Sequence, residues 1–188
     1  MTGTALSGPY EVVAELPALD AVLGAHAADL GGDFDGYRNH AYRVANLCIV
    51  QSFATALDVE KFALAAAFHD LGIWTDRTFD YLEPSVRLAT AHLTAAGRTD
   101  LIGEIAAMIR EHHKLRRYDG ALGPLVEPFR RADWIDVSKG ILTFGVPRRV
   151  IRTILSAWPN AGFHRRLVQL ELQRLRTHPW HPLPMFRL

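Results

Sequence analysis

A single cysteine, Cys48, excludes an internal disulfide framework and removes any need for an oxidising compartment. No apolar run approaches the ~20 residues that cross a bilayer, so no membrane contact is expected. Polar–apolar alternation bounded by hairpin turns is nearly missing, which argues against a sheet. Internal repeats, low-complexity segments and Gly/Ser-rich linkers are missing too. The N-terminal MTGTALSGPYEVVAE lacks the basic start and apolar block of a signal peptide, and the expected location is the cytoplasm. Net charge is scarce, at +1, where a polyanion-binding protein is usually strongly basic, so nucleic acid is not the expected partner.

What remains is an ordinary globular composition. With 188 residues, 49% hydrophobic and 22% charged, the chain suits one domain with a substantial core, spanning 1–188. The small net charge hides an asymmetry: residues 1–100 carry −7 and residues 101–188 carry +8. A basic half suits a small anionic partner, and equally suits helix surfaces that neutralise the acidic half.

Helix signals run the whole length. Pro17 opens a segment that reaches Leu30 and stops at Gly31-Gly32. A second helix runs from about Tyr37 to Phe53. Asp58 caps a third, VEKFALAAAFHDL, ending at Gly72, whose alanine-rich stretch implies burial on most sides. After an aromatic and acidic loop, helices follow from Pro84 to Ala96, from Asp100 to His113, and through a segment containing Arg130 to Lys139. Two more span Pro147–Ala157 and Phe163–Arg176, and a proline-rich tail forms an extended strap. The expected fold is an all-α single-domain helical bundle.

Six polar residues fall on successive helices: His40, His69 with Asp70, His92, His112 and Asp133. Each gap beyond the adjacent pair is about one helix plus one loop, so an antiparallel bundle can bring one ligand per helix to a shared centre. Imidazole and carboxylate are suitable donors for Zn, Mn, Fe or Ni. His69 and Asp70 follow Ala65-Ala66-Ala67-Phe68, where an unpartnered carboxylate is costly and needs a cation or strong donor. His92 follows Leu88 and Ala89 at helical spacing, and His112 follows Ile105 and Ile109, which places both on inward stripes. Any one of these alone reads most simply as a hydrogen-bonded core residue; six together read as a site.

The words YRNHAYRV, AAAFHDLGIW, IREHHKL and RRADWIDVSKG resemble the HD superfamily of metal-dependent phosphohydrolases across roughly residues 37–140, leaving 147–188 as C-terminal helices and strap. The resemblance implies that His40, His69, Asp70 and Asp133 hold one divalent metal ion. It also implies that His92 and His112 serve a second, as in the dinuclear subfamilies, with Asp70 as bridge and His113 as the alternative to His112. The segment HHKLRRYDGALGP departs from the cyclic-dinucleotide phosphodiesterases, since its Tyr118-Asp119-Gly120 only partly resembles their GYP motif.

Two metal ions, Fe, Mn or another transition metal, would activate water against a phosphoester of a small phosphorylated or nucleotide-like substrate. Asp70 and His69 are the expected catalytic centre, with Lys114, Arg116, Arg117 and Lys139 as candidate phosphate holders. Trp74, Phe79 and Tyr81 suit either a substrate lid or a plug at the bundle end. Asp33 and Asp35 suit either a turn or contacts supporting the ligands. His164, His178 and His181 read as surface or strap residues, and Arg148, Arg149 and Arg152 as ordinary surface charge. The same scaffold also accommodates a di-iron oxygenase resembling inositol oxygenase or the phosphonate-cleaving oxygenases, a hydratase, or a non-catalytic nucleotide-binding protein. A homo-oligomer is compatible with all of these.

Overall fold

Pro17 supplies the fixed φ that starts a helix, and the chain does turn helical there in a computed structural model that describes residues 10–52 and 54–177. The elements are α1 (Pro17–Ala25), α2 (Ala27–Leu30), α3 (Phe34–Gln51), α4 (Ala56–Phe68), α5 (Gly72–Thr75), α6 (Leu82–Ala95), α7 (Ile102–Glu111), α8 (Gly123–Val137), α9 (Arg148–Ala157) and α10 (Phe163–Thr177). No strand occurs among the described residues, and the fold is all-α and a single domain. Among the described residues no helix is long and apolar enough to cross a membrane. The proline-rich tail from 178 onward, with His178 and His181, lies outside the described residues.

Helix α4 is the hub. Its N-terminus is closed by a capping box: the Asp58 N–H donates to Thr55 Oγ1 and the Thr55 N–H donates to Asp58 Oδ2. Thr55 is therefore the N-cap, and Asp58 sits three residues inside. From Phe62 to Phe68 every residue is buried, because alanine lets α1, α3, α6, α7 and α8 all approach. Helix α3 packs between α4 and α8, and the polar residues of interest face that seam.

Two glycines set the geometry around this seam. A Cβ on Gly36 would lie 3.1 Å from the Ala161 carbonyl, so glycine lets the α9–α10 connection rest on α3. Gly72 does not end α4, as the sequence suggests, but opens α5. A Cβ there would meet the Tyr81 carbonyl at 2.7 Å and Pro84 Cβ at 2.9 Å, and its N–H donates to Ser85 Oγ. The chain thus turns sharply just after Asp70 and brings Tyr81 back to the seam. Helix α9 buries Val150, Ile151 and Ile154, contributing about 1.5–3 kcal/mol each. It leaves Arg148, Arg149 and Arg152 on its outer face.

Candidate metal centre

The seam between α3, the end of α4, the end of α7 and α8 collects six side chains. His40 comes from the middle of α3, and His69 and Asp70 from the turn ending α4. His112 and His113 come just after α7, and Asp133 from α8. Three overlapping groups can each hold a metal ion, with one ligand atom per residue and all of these atoms within 4.8 Å of one another. They are His40, His69 and Asp133; His69, Asp70 and His112; and His112, His113 and Asp133.

Proton placement follows from the partners. His69 Nδ1 lies 2.8 Å from the Ala66 carbonyl and His112 Nδ1 lies 2.7 Å from the Ile109 carbonyl. A carbonyl only accepts, so both rings carry their proton on Nδ1 and turn an Nε2 lone pair inward. His40 Nδ1 donates to Asp136 Oδ2 at 2.6 Å, which turns its Nε2 inward as well. His40 Nε2 and His69 Nε2 then face each other at 2.9 Å, lone pair to lone pair in the neutral rings. A cation between them resolves that repulsion. Ring nitrogens anchored on the far side are the usual support of metal-ligating histidines.

Distances around His40, His69, Asp70 and Asp133 suit one first-row ion. His40 Nε2 lies 3.7 Å from Asp70 Oδ2 and 3.6 Å from Asp133 Oδ1; for His69 Nε2 the same separations are 3.5 and 3.9 Å. Bonds of about 2.1 Å give ligand–ligand edges of about 3.0–3.4 Å, so only small adjustments are needed. Both carboxylates also turn their other oxygen toward the second pair of histidines. Asp70 Oδ1 is 3.4 Å from His112 Nε2, and Asp133 Oδ2 is 3.7 Å from His113 Nδ1. Asp70 Oδ1 and His112 Nε2 are fully buried with no hydrogen-bond partner, a costly arrangement for a protein without a cation there.

Charge follows from the same packing. Burial opposes ionisation of Asp70, yet His69, His112 and His40 outweigh it and hold the carboxyl well below the ordinary range. Burial raises Asp133 to about 6, against the pull of His112 and His40. Burial pushes the His69 imidazole down to about 3 and His113 well below its ordinary value. His112 goes the other way: burial opposes its protonation, but Asp70 and Asp133 outweigh it.

Several residues that complete the site carry no motif. Asp136, fully buried, accepts from His40 Nδ1 and from Arg43 Nε and Nη2, and burial fails to raise its carboxyl against those two partners. Its spacing from Asp133, three residues along one helix face, was the available signal. Tyr37 donates to the Ala67 carbonyl and accepts from the Asp70 N–H at 3.3 Å, which fixes the turn carrying the His-Asp pair. Phe163 stacks on the His40 ring with centroids 4.1 Å apart. Tyr81 is buried, with its hydroxyl 2.5 Å from His113 Nε2, and Trp74 packs on Tyr37 while donating to Asp33. Asp33 also accepts from Arg166 of α10, so it supports the site through two neighbours, and His164, half-buried, donates to the Asp136 carbonyl.

Three sequence expectations need correction. His92 is exposed on the outer side of α6, with its ring 5.4 Å from that of Phe68 and outside the cluster. The inward stripe is Val86, Ala89 and Leu93, and His92 lies about 100° away from Leu93 around the helix. His113 stands beside His112 instead of replacing it. Lys139 is not on the helix of Asp133: α8 ends at Val137, and Lys139 is exposed in a left-handed turn with φ 54°. In the basic loop, Lys114 pairs with Glu111 at 3.2 Å, and Arg116 is exposed. Arg117 lines a cavity of about 780 Å³ with Lys61, Glu104 and Arg131, and none of the six cluster residues lines it.

Against known proteins the chain stands on this geometry alone: no family model, no curated protein and no solved structure matches it.

Proposed function

We propose that the protein is a metal-dependent hydrolase of the HD type, acting on a phosphoester of a small or nucleotide-like substrate. The observation that carries this reading is the set of three imidazoles, each with Nδ1–H anchored and Nε2 turned toward two buried carboxylates. His40, His69, Asp70 and Asp133 would hold one divalent ion. His112 and His113, with the second oxygens of Asp70 and Asp133, would hold another, so both carboxylates would serve both ions. Ions there would supply a water deprotonated near neutral pH and polarise the phosphoryl oxygen.

The protein's own groups set the conditions for that chemistry. Asp136 and the Ala66 and Ile109 carbonyls orient the three rings, so little reorganisation is left for the reaction itself. Phe163 and Phe129 cover the rings of His40 and His69 and exclude water from that side. Burial, reinforced by Asp70 and Asp133, keeps the Tyr81 phenol protonated well above neutral pH. Against a liganded His113 Nδ1, that phenol oxygen accepts the Nε2–H.

Elemental analysis of protein purified without chelator, followed by chelation, reloading with Mn or Fe and assay on p-nitrophenyl phosphate, tests the reading. The expected result is about two ions per chain and metal-dependent release of p-nitrophenol, with both lost together in Asp70→Ala. Protein that retains no ion and is not rescued by reloading overturns the metal reading. Full metal retention with no phosphoester cleaved on a broad panel of esters overturns the hydrolase reading.

A further inference from the structure

Helix α8 ends at Val137, and a short loop leads to the start of α9 at Arg148. The loop is fastened from within. The Ile141 N–H donates to the Ser138 carbonyl, the Leu142 N–H to Ser138 Oγ, and the Val146 N–H to the Thr143 carbonyl. Arg148 Nη1 donates to the Gly140 carbonyl at 3.3 Å. Gly140, at φ 76°, sits so close to α9 that a Cβ there would meet Ile151 Cγ2 at 2.9 Å. Residues 138–148 are therefore a fixed projection seated on α9.

Its exposed side chains are apolar. Of the nine large hydrophobic side chains exposed among the described residues, four fall within eight positions here: Val137, Ile141, Leu142 and Phe144. Ile141 is 75% exposed, the most of the nine. Phe144 takes φ 43°, a left-handed backbone that an aromatic residue rarely adopts, with the Arg130 and Arg131 guanidinium groups 5.7 and 5.9 Å from its ring centroid. Water gives no reason to hold large apolar groups outward on a strained loop; both features collect where a protein meets another surface. The surroundings are basic. No Asp or Glu occurs between residues 137 and 170, a stretch that contains Lys139, Arg148, Arg149, Arg152, Arg165 and Arg166. Lys139 is exposed at the base of the loop, and Arg148 and Arg152 are exposed on the first two turns of α9.

We infer that residues 137–152 form a peripheral docking surface for an anionic bilayer. The Ile141–Phe144 loop enters the headgroup layer, and Lys139, Arg148 and Arg152 face the lipid phosphates. Charge complementarity selects this partner: anionic headgroups meet the acid-free basic stretch while the acyl boundary receives the apolar tip. A second copy of the chain would bring like charges together, and nucleic acid would leave the aliphatic tip in water. The missing long apolar runs speak only to spanning segments; a loop that lies in the interface needs none. The inference goes beyond the hydrolase reading and does not rest on it. Attachment through so few side chains is reversible and sensitive to salt.

Flotation of the full chain with vesicles of phosphatidylcholine alone, or of phosphatidylcholine with about 30% phosphatidylglycerol, tests the assignment. Binding should be about tenfold or more stronger on the anionic vesicles, and should weaken about tenfold or more between about 0.05 and 0.5 M salt. Lys139→Gln/Arg152→Gln should weaken it by about 20–30-fold, about fivefold for each cation. Ile141→Ser/Leu142→Ser leaves the charge unaltered and should weaken it about tenfold or more. All four positions are exposed, and equal thermal unfolding temperatures check that the variants stay folded. No preference for anionic vesicles overturns the inference, as does a loop variant that binds like the unaltered protein. A DNA duplex of about 20 base pairs bound as tightly as the vesicles makes the basic stretch a nucleic-acid surface and overturns it. So does a dimer in sedimentation that Ile141→Ser/Leu142→Ser dissolves.

Discussion

Replacing Asp136 by Asn removes one negative charge from a position with no solvent access, where the carboxylate meets His40 Nδ1 at 2.6 Å and Arg43 at 2.5 and 2.9 Å. The amide has one acceptor oxygen for two donating partners, and its NH2 must face one of them donor to donor. Arg43, itself 1% exposed, is left as a buried charge without a counter-ion. Breaking such a pair costs about 3–5 kcal/mol. For a domain of this size each kcal/mol shifts Tm by about 2–4 °C, so the expected drop is about 6–20 °C. Release of the His40 ring should lower metal affinity by about 10–100-fold as well. Thermal unfolding and metal titration read the two effects separately. Arg43→Met keeps the Asp136–His40 bond, so its Tm should fall while metal affinity changes by less than about tenfold. An Asp136→Asn protein with unchanged Tm and unchanged metal affinity would refute the reasoning.

Metal analysis of His92→Ala should show the same number of ions per chain as the unaltered protein, while His113→Ala should lose up to one; the opposite pattern would restore His92 as a ligand. Gly72→Ala drives a methyl against the Tyr81 carbonyl and should cost about 1–3 kcal/mol in urea unfolding, with no effect if the turn can relax. Glu127 is held below the ordinary carboxyl range: burial opposes this, but Arg130, the Tyr118 N–H and Arg131 outweigh it. A depressed folded value stabilises above the unfolded value of about 4.3 and is lost as pH falls through the folded one. Glu127→Gln should therefore cost about 1–3 kcal/mol at pH 7, and the gap to the unaltered protein should narrow below about pH 4.

The cluster residues that were legible in sequence are those whose neighbours allow one orientation. His69 and Asp70 follow a fully buried alanine run, and His40 and Asp133 sit among residues that pack on several sides. His92 was misplaced because Leu88 and Ala89 suggest a stripe that in fact follows Val86, Ala89 and Leu93. One residue of rotation separates ligand from solvent on a helix. Lys139 was misplaced because the helix that spacing alone extends stops at Val137, and Lys139 itself takes a left-handed φ of 54° before Gly140 at 76°. Arg43, Asp136 and Phe163 could not be read as a unit, since their contacts span 93 residues or more or cross between elements. The helices follow from local patterning; their mutual rotation, which decides the site, follows from tertiary packing.

Asp136 stands where two lines of force meet. Its carboxylate holds the far side of His40, and the same carboxylate holds Arg43, whose Nη1 donates to the Trp158 carbonyl at 3.0 Å and lies 3.3 Å from that of Pro159. Its main-chain carbonyl accepts from His164, next to the ring that covers His40. The imidazole facing the cluster and the segment that lays Phe163 over it thus share one anchor. Thermodynamic linkage makes such sharing reciprocal: whatever a cation bound at the cluster would add to the order of residues 158–164, the ordering of that segment would return as tighter binding of the cation. Amide exchange in this short stretch becomes a readout of occupancy from outside the cluster. Anything that pries α10 away would, by the same linkage, weaken the hold of the cluster on a cation.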